Sequence, residues 1–454
     1  MPPPEQTDDE EAAPLLHGGK AVTTPEADEP CATMGVGSSA VTLLKNIVGC
    51  SLLSLPAGQA ALGGTGFVPA IGLTIFSALL AAFTLYTLGE GAAATRTSNY
   101  VALCAATLGA RASRVVNAVI LAFSLCADIM LMCVLAELAA ALLTQSRNQA
   151  LIGVTVLLLM PLALQHNFTA LRYASWLGVA AVAVISLVLT MRWLDGSYGA
   201  GGRFAHSSTA GLVVMPSGGS HILSQASAFH VSSGSLVLFS MLSSAFTAHY
   251  NAPRLYFELN NATPVRFAAV CVAGFAGAAL ANALVMLTGY YTFGADAQGV
   301  ILNNLSSDDP LAKAARLATC LSILTVHPLT FTGLRDATLS AIRGTALGDA
   351  VNRSRNAWAA LTIGMVIGEM LIALLNLPLD TMVAFLGAVA CSILVYIVPG
   401  CILLSRVREG NEQQPDAHGF ARKALSFAIV AFGCAAAVAG VIATSADISG
   451  RQVG

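Results

Sequence analysis

Long apolar runs recur down the whole chain, separated by short polar stretches; "GFVPAIGLTIFSALLAAFTLYTL" and "ALTIGMVIGEMLIALL" are two that lie inside longer ones. A helix needs about 20 such residues to cross a bilayer core. Short alternating segments of about 10 residues, which mark a transmembrane barrel, do not occur. Eleven apolar windows are read, at about 41–62, 66–90, 115–143, 149–166, 172–194, 232–256, 264–292, 311–335, 355–376, 379–404 and 421–445. They predict an all-α polytopic membrane protein with eleven transmembrane helices in a domain over 38–445, followed by a short C-terminal tail at 446–454.

Two of these windows are interrupted. The first contains "NIVGCSLLSLP", where Gly49 and Pro56 weaken the helix and Asn46, Ser51 and Ser54 offer polar partners. The sixth contains "MLSSAFTAHYNAPRLYFEL", with Ser243, Ser244, Thr247, His249, Asn251 and Pro253 in one stretch. These windows open two successive groups of five, and interrupted helices at corresponding positions of two halves point to a transporter site at the bilayer midplane. Unwinding frees N–H groups at the start of one half-helix and C=O groups at the end of another, which suits the two charged ends of an amino acid.

The composition agrees: 454 residues are 56% hydrophobic and 10% charged, with a mean hydropathy of +0.73, where soluble domains are roughly a quarter charged. No basic patch indicates nucleic acid. The ten cysteines sit mostly in apolar runs without metal-like spacing, so they read as packing residues, and no cofactor is expected. No HExxH or GxSxG occurs, so no enzyme is expected. Residues 1–37, rich in Pro, Asp and Glu at their start, read as a disordered acidic tail rather than a signal peptide. With the N-terminus in the cytoplasm, one set of loops holds most of the basic residues, Arg96, Arg111, Arg172, Arg254, Arg353 and Arg422 among them. The other set has little beyond Arg147, Arg203 and Arg451, the asymmetry the positive-inside rule requires.

"LLKNIVGCSLLSLPAGQAALG", "FTAHYNAPRLYFEL", "GYYTFGADAQGVILNNLSSDD" and "ARLATCLSILTVHPLTFTGLRD" resemble the amino acid/auxin permease family over about residues 38–405. The resemblance implies a secondary amino acid transporter with the five-plus-five inverted repeat of the bacterial leucine transporter type plus one extra helix. It further implies that the substrate carboxylate meets the backbone at Val48, Gly49, Cys50 and Ser51. The amino group would then meet carbonyls near Ser243, Ser244 and Phe246. Small neutral amino acids are the family's commonest cargo. An amino acid sensor built on the same fold is the alternative.

Sodium-coupled members use an asparagine of the first helix and a hydroxyl of the eighth. Here Lys45 falls where that asparagine is expected and Asn46 is shifted by one. An ammonium there repels or replaces Na⁺, which favours H⁺ coupling; Na⁺ symport would use Ser322 and Thr325. Ionisable groups inside the apolar windows are costly and so are functional candidates. They are Asp128, Glu137, His249, His327 and Glu369, of which Asp128 is an ion-coupling candidate. His249 either carries a proton or braces the broken helix as a neutral hydrogen-bonding group.

In the tail, "DDEEAAPLL" places Glu11 before Leu15 and Leu16 in an acidic dileucine pattern that clathrin adaptors read. It favours an endosomal, lysosomal or vacuolar membrane over the plasma membrane. Asn304 begins a glycosylation sequon on the side opposite the N-terminus.

Overall fold

The computed structural model describes residues 34–165, 174–199, 201–205, 228–342, 344–411 and 417–453. Apart from one isolated bridge between Met34 and Leu259, these residues form helices and connecting turns. In chain order the α-helices are α1 (Val36–Ile47), α2 (Leu55–Ala60), α3 (Phe67–Thr95), α4 (Tyr100–Leu108), α5 (Ala110–Leu143), α6 (Arg147–Val154), α7 (Met160–Ala163) and α8 (Ala174–Leu194). They continue with α9 (Gly234–Ala245), α10 (Ala252–Glu258), α11 (Pro264–Phe293), α12 (Pro310–Ala341), α13 (Ala346–Arg353), α14 (Arg355–Ala373), α15 (Leu379–Leu386), α16 (Val398–Asn411) and α17 (Ala417–Val453). Wider π turns join α6 to α7 through Thr155–Leu159 and α15 to α16 through Gly387–Ile397.

Among the described residues eight helices are long and apolar enough to cross a bilayer, and Val36–Ile47 with Cys50–Gly63, bent by 50°, makes a ninth. Two of the eleven expected windows fall short of that length. Arg147–Ala163 is a shorter apolar helix, and the sixth window is divided between α9 and α10. Two short helices were not legible as separate elements. One is α4, tied to the core by Tyr100 OH donating to Leu394 O at 3.0 Å; the other is α13.

The bundle has an inside and an outside. The best window of Leu379–Arg406 is 67% buried, against 22% for Arg355–Ala373 and for Phe420–Gly450, so α15–α16 run through the middle while α14 and α17 lie at the edge. Large side chains such as Leu79, Leu157, Val272 and Ile442 stay exposed, a surface that lipid solvates and water does not. Inside, α1 packs on α11, α11 on α3, α12 on α5 and α8, and the turn after α15 on α17. Glycines set these distances: a Cβ on Gly274 would meet the Leu43 side chain at 2.8 Å and one on Gly289 would meet Pro56 Cγ at 2.6 Å.

The breaks differ in detail from the sequence reading. α1 stops at Ile47; Val48 and Gly49 are extended, and the chain resumes as a 3-10 turn over Cys50–Ser54. Pro56 does not break this span but sits in the first turn of α2, where its missing N–H costs nothing. Pro253 likewise starts α10 rather than ending α9. The second break comes earlier, over Phe246–Ala248, and passes through a 3-10 turn at His249–Asn251.

Candidate functional site

The two breaks meet. Ser51 Oγ and Ser244 Oγ lie 3.4 Å apart across them, both buried. Ser54 Oγ donates to Ser51 O at 2.8 Å and Thr247 Oγ1 donates to Ser243 O at 2.6 Å, so each unwound stretch is held by its own side chains. Ser243 Oγ lies 3.0 Å from Tyr396 OH in the middle of the α15–α16 rod. Tyr396 is fully buried and gave no sequence signal, because only the crossing of span ten over span six brings it there. The Phe246 ring is buried beside Phe275 of α11, with centroids 6.2 Å apart.

The Val48–Cys50 side of the break opens. Val48, Gly49 and Cys50 line a cleft of about 50 Å³ with Leu131 of α5, Ile185 of α8 and Thr319, Ser322 and Val326 of α12. Lys45 borders this cleft and also a larger apolar cavity of about 460 Å³ between α1, α8 and α11. Its stem lies across Gly178, where any side chain would displace it. Among the described residues no carboxylate pairs with its ammonium. Asn46 is half-buried on α1. On α12 the hydroxyls that line this cleft with Lys45 are Thr319 and Ser322, whereas Thr325 donates to Ser322 O at 2.8 Å and does not line it. Thr319 lies three residues before Ser322, one helical turn, so a periodicity count from Ser322 could have found it.

His249 is a brace. Its Nε2 lies 2.9 Å from Thr84 Oγ1 and 3.1 Å from Ala81 O. A carbonyl only accepts, so Nε2 carries the hydrogen, as a neutral imidazole allows. The ring thereby pins the second break to α3. Asp128, His327 and Glu369, scattered in the sequence, come together between α5, α12 and α14, while Glu137 accepts from Asn303 at 2.6 Å and faces Arg147 at 3.8 Å.

Asn304 does not suit a glycan: its side chain is buried, donates to Asp296 O and accepts from Gln298 N, both at 2.8 Å. Glu11, Leu15 and Leu16 lie outside the described residues, as do Arg172 and most of the 195–231 loop.

An all-helical membrane bundle with two broken helices in contact has the architecture of a secondary transporter. The sequence model of the family described as "Transmembrane amino acid transporter protein" matches residues 32–446, and the chain belongs to that family. The chain is 23% identical over 276 residues to vacuolar amino acid transporter 2 of Saccharomyces cerevisiae, covering 59% of this chain and about half, 54%, of the yeast protein. Human solute carrier family 38 member 8 is 24% identical over 406 residues, which cover 84% of this chain and 88% of that one. Among solved structures, a Na⁺-coupled sialic acid symporter superposes with a TM-score of 0.55 at 11% identity, covering 92% of both chains, and so shares the fold. These relatives are transporters, not enzymes.

Proposed function

We propose that this protein moves small neutral amino acids across a membrane by alternating access, coupled to H⁺ rather than Na⁺. The contact between Ser51 and Ser244 carries this reading. An amino acid bound there parts the two breaks, its carboxylate taken by the freed N–H groups of Val48, Gly49, Cys50 and Ser51 and its ammonium by carbonyls near Ser243, Ser244 and Phe246. The inverted five-plus-five relation of spans one to five and six to ten, with a cytoplasmic N-terminus, belongs to the same reading. Lys45 supports H⁺ over Na⁺: its ammonium borders the cleft where Thr319 and Ser322 offer hydroxyls, and a fixed cation there repels a mobile one.

Purified protein in liposomes, tested with a set of labelled amino acids, is expected to accumulate small neutral ones down an inward pH gradient. Uptake should persist when Na⁺ is replaced by choline at fixed pH; loss of most uptake in choline would sink the H⁺ reading.

An endosomal, lysosomal or vacuolar membrane is the proposed location, supported by the tail pattern Glu11, Leu15 and Leu16. Leu15→Ala with Leu16→Ala is expected to move a fluorescently tagged chain to the cell surface. An unchanged location removes the clathrin-adaptor argument.

A further inference from the structure

Asp128 of α5, His327 of α12 and Glu369 of α14 are each no more than 1% exposed. His327 Nε2 and Glu369 Oε2 are 3.7 Å apart, within ion-pair reach but beyond a hydrogen bond. Asp128 Oδ1 is hydrogen-bonded to the Thr330 hydroxyl, one turn along α12 from His327. Asp128 Oδ2, both ring nitrogens of His327 and both oxygens of Glu369 have no hydrogen-bond partner among the described residues.

Thr330 sits among three acceptors. Its one hydroxyl hydrogen faces Asp128 Oδ1, His327 O at 3.0 Å and Val326 O at 3.4 Å. The carbonyls can only accept. The Thr330 hydroxyl can donate to Asp128 Oδ1, with the two carbonyls as alternative acceptors.

Among the described residues no Lys or Arg pairs with this set. Arg335, about two turns further along α12, donates to Ala163 O at 2.9 Å and lies over the Trp358 ring at 4.5 Å. Glu137, further along α5, is taken by Asn303 and Arg147. From the second helix break, the Tyr250 ring packs on Phe123 of α5, the helix that carries Asp128, with centroids 5.6 Å apart. Phe331 stacks on His327 with an interplanar angle of 9°. Two carboxyls and one imidazole are neutral as a set only when they hold two protons, and unpaired buried charge is expensive.

We propose that Asp128, His327 and Glu369 are the proton-carrying set of this transporter, holding protons while buried and releasing one to water when α12 moves. This rests on the H⁺-coupled reading above. The set is wired to the substrate region twice. Thr319 and Ser322, on the same helix, line the cleft beside Gly49, and Tyr250 sits in the break itself. Pro328 lies next to His327 inside α12 and cannot donate to the Leu324 carbonyl. It leaves a weak point at which that helix can flex.

The test compares two modes in liposomes, using the labelled amino acid that gives the largest signal with the unaltered protein. Net accumulation moves protons, and exchange at equal internal and external amino acid does not. An inward gradient of about one pH unit drives accumulation up to about tenfold per coupled proton. Asp128→Asn and Glu369→Gln are expected to abolish this accumulation while keeping exchange, and Asp128→Glu to restore it. If the unaltered protein responds to the gradient and both variants respond equally, the set is not the carrier and only this inference falls. If the unaltered protein ignores the gradient, the H⁺ reading falls and takes the inference with it. Loss of exchange in Asp128→Asn, Glu369→Gln and His327→Gln alike, at normal yield, makes the set a packing unit and overturns the proposal.

Discussion

Gly387→Ala is expected to destabilise the folded bundle by about 1–3 kcal/mol or more, the range for overpacking a well-filled interior. A Cβ at this position would run into the Ser240 carbonyl group, 2.6 Å from its carbon, and would come within 3.3 Å of Ser244 N. These are backbone atoms of α9, which no rotamer change can clear, so span ten would have to back away from span six next to the second break. Gly440 of α17 approaches Ser240 from another side, its would-be Cβ 2.9 Å from Ala388 Cβ, so the retreat has nowhere to go. Gly364→Ala on the exposed helix α14 is the control. Nothing lies within 4 Å of the added atom, and the change should gain a few tenths to about 1 kcal/mol of helix propensity. Melting of the purified proteins in detergent checks the pair: equal melting temperatures would show that the close approach of span ten to Ser240 does not limit stability.

Arg192→Met should cost about 3–5 kcal/mol, because it strands a buried carboxylate. Arg192 grips Asp309 with both arms of its guanidinium, Nη2 to Oδ1 at 2.6 Å and Nε to Oδ2 at 2.8 Å. Tyr198 OH donates to the same carboxylate at 3.0 Å, and the Leu311 N–H at the start of α12 at 2.9 Å. One carboxylate thereby joins the end of α8, the turn after it and the start of α12. Burial by itself would raise the Asp309 carboxyl, but hydrogen bonds from Arg192, Tyr198 and Leu311 outweigh it and hold the group below its ordinary value of 3.8. A carboxyl depressed by folding adds stability that is full above its unfolded value and is lost as pH falls through the folded one. Stability of the unaltered protein should therefore drop on acidification below about pH 4, the unfolded carboxylate range. In Asp309→Asn that part of the drop should be missing, on a lower baseline at neutral pH. Melting temperatures over an acid series decide it: identical acid slopes in the two proteins would remove Asp309 as the cause.

Both helix breaks were legible because they are written in local chemistry. Gly49 and the serines around it, and the Ser243-to-Pro253 stretch, mark where a helix opens. Pro56, read as weakening the first window, begins its second half instead, and Pro253 likewise starts α10, because a proline's effect depends on its place in the helix. Thr319 displaced Thr325 beside Lys45, since the choice between hydroxyls a few residues apart depends on how α12 is rotated against its neighbours. The buried side chain of Asn304 shows the same limit, as a sequon says nothing about burial.

The sequence by itself determined that this is a helical membrane protein, which family it belongs to and where its two central helices break. Those properties follow from apolar run length and from local backbone chemistry, both of which are read within a few turns. Only the tertiary structure decided that Ser51 meets Ser244, that Tyr396 reaches Ser243, that His249 bonds to α3, and that Asp128, His327 and Glu369 are buried together. In a bundle whose helices are apolar on all sides, no amphipathic stripe announces which face turns inward. The partners of each polar group are fixed instead by close packing between helices far apart in the chain.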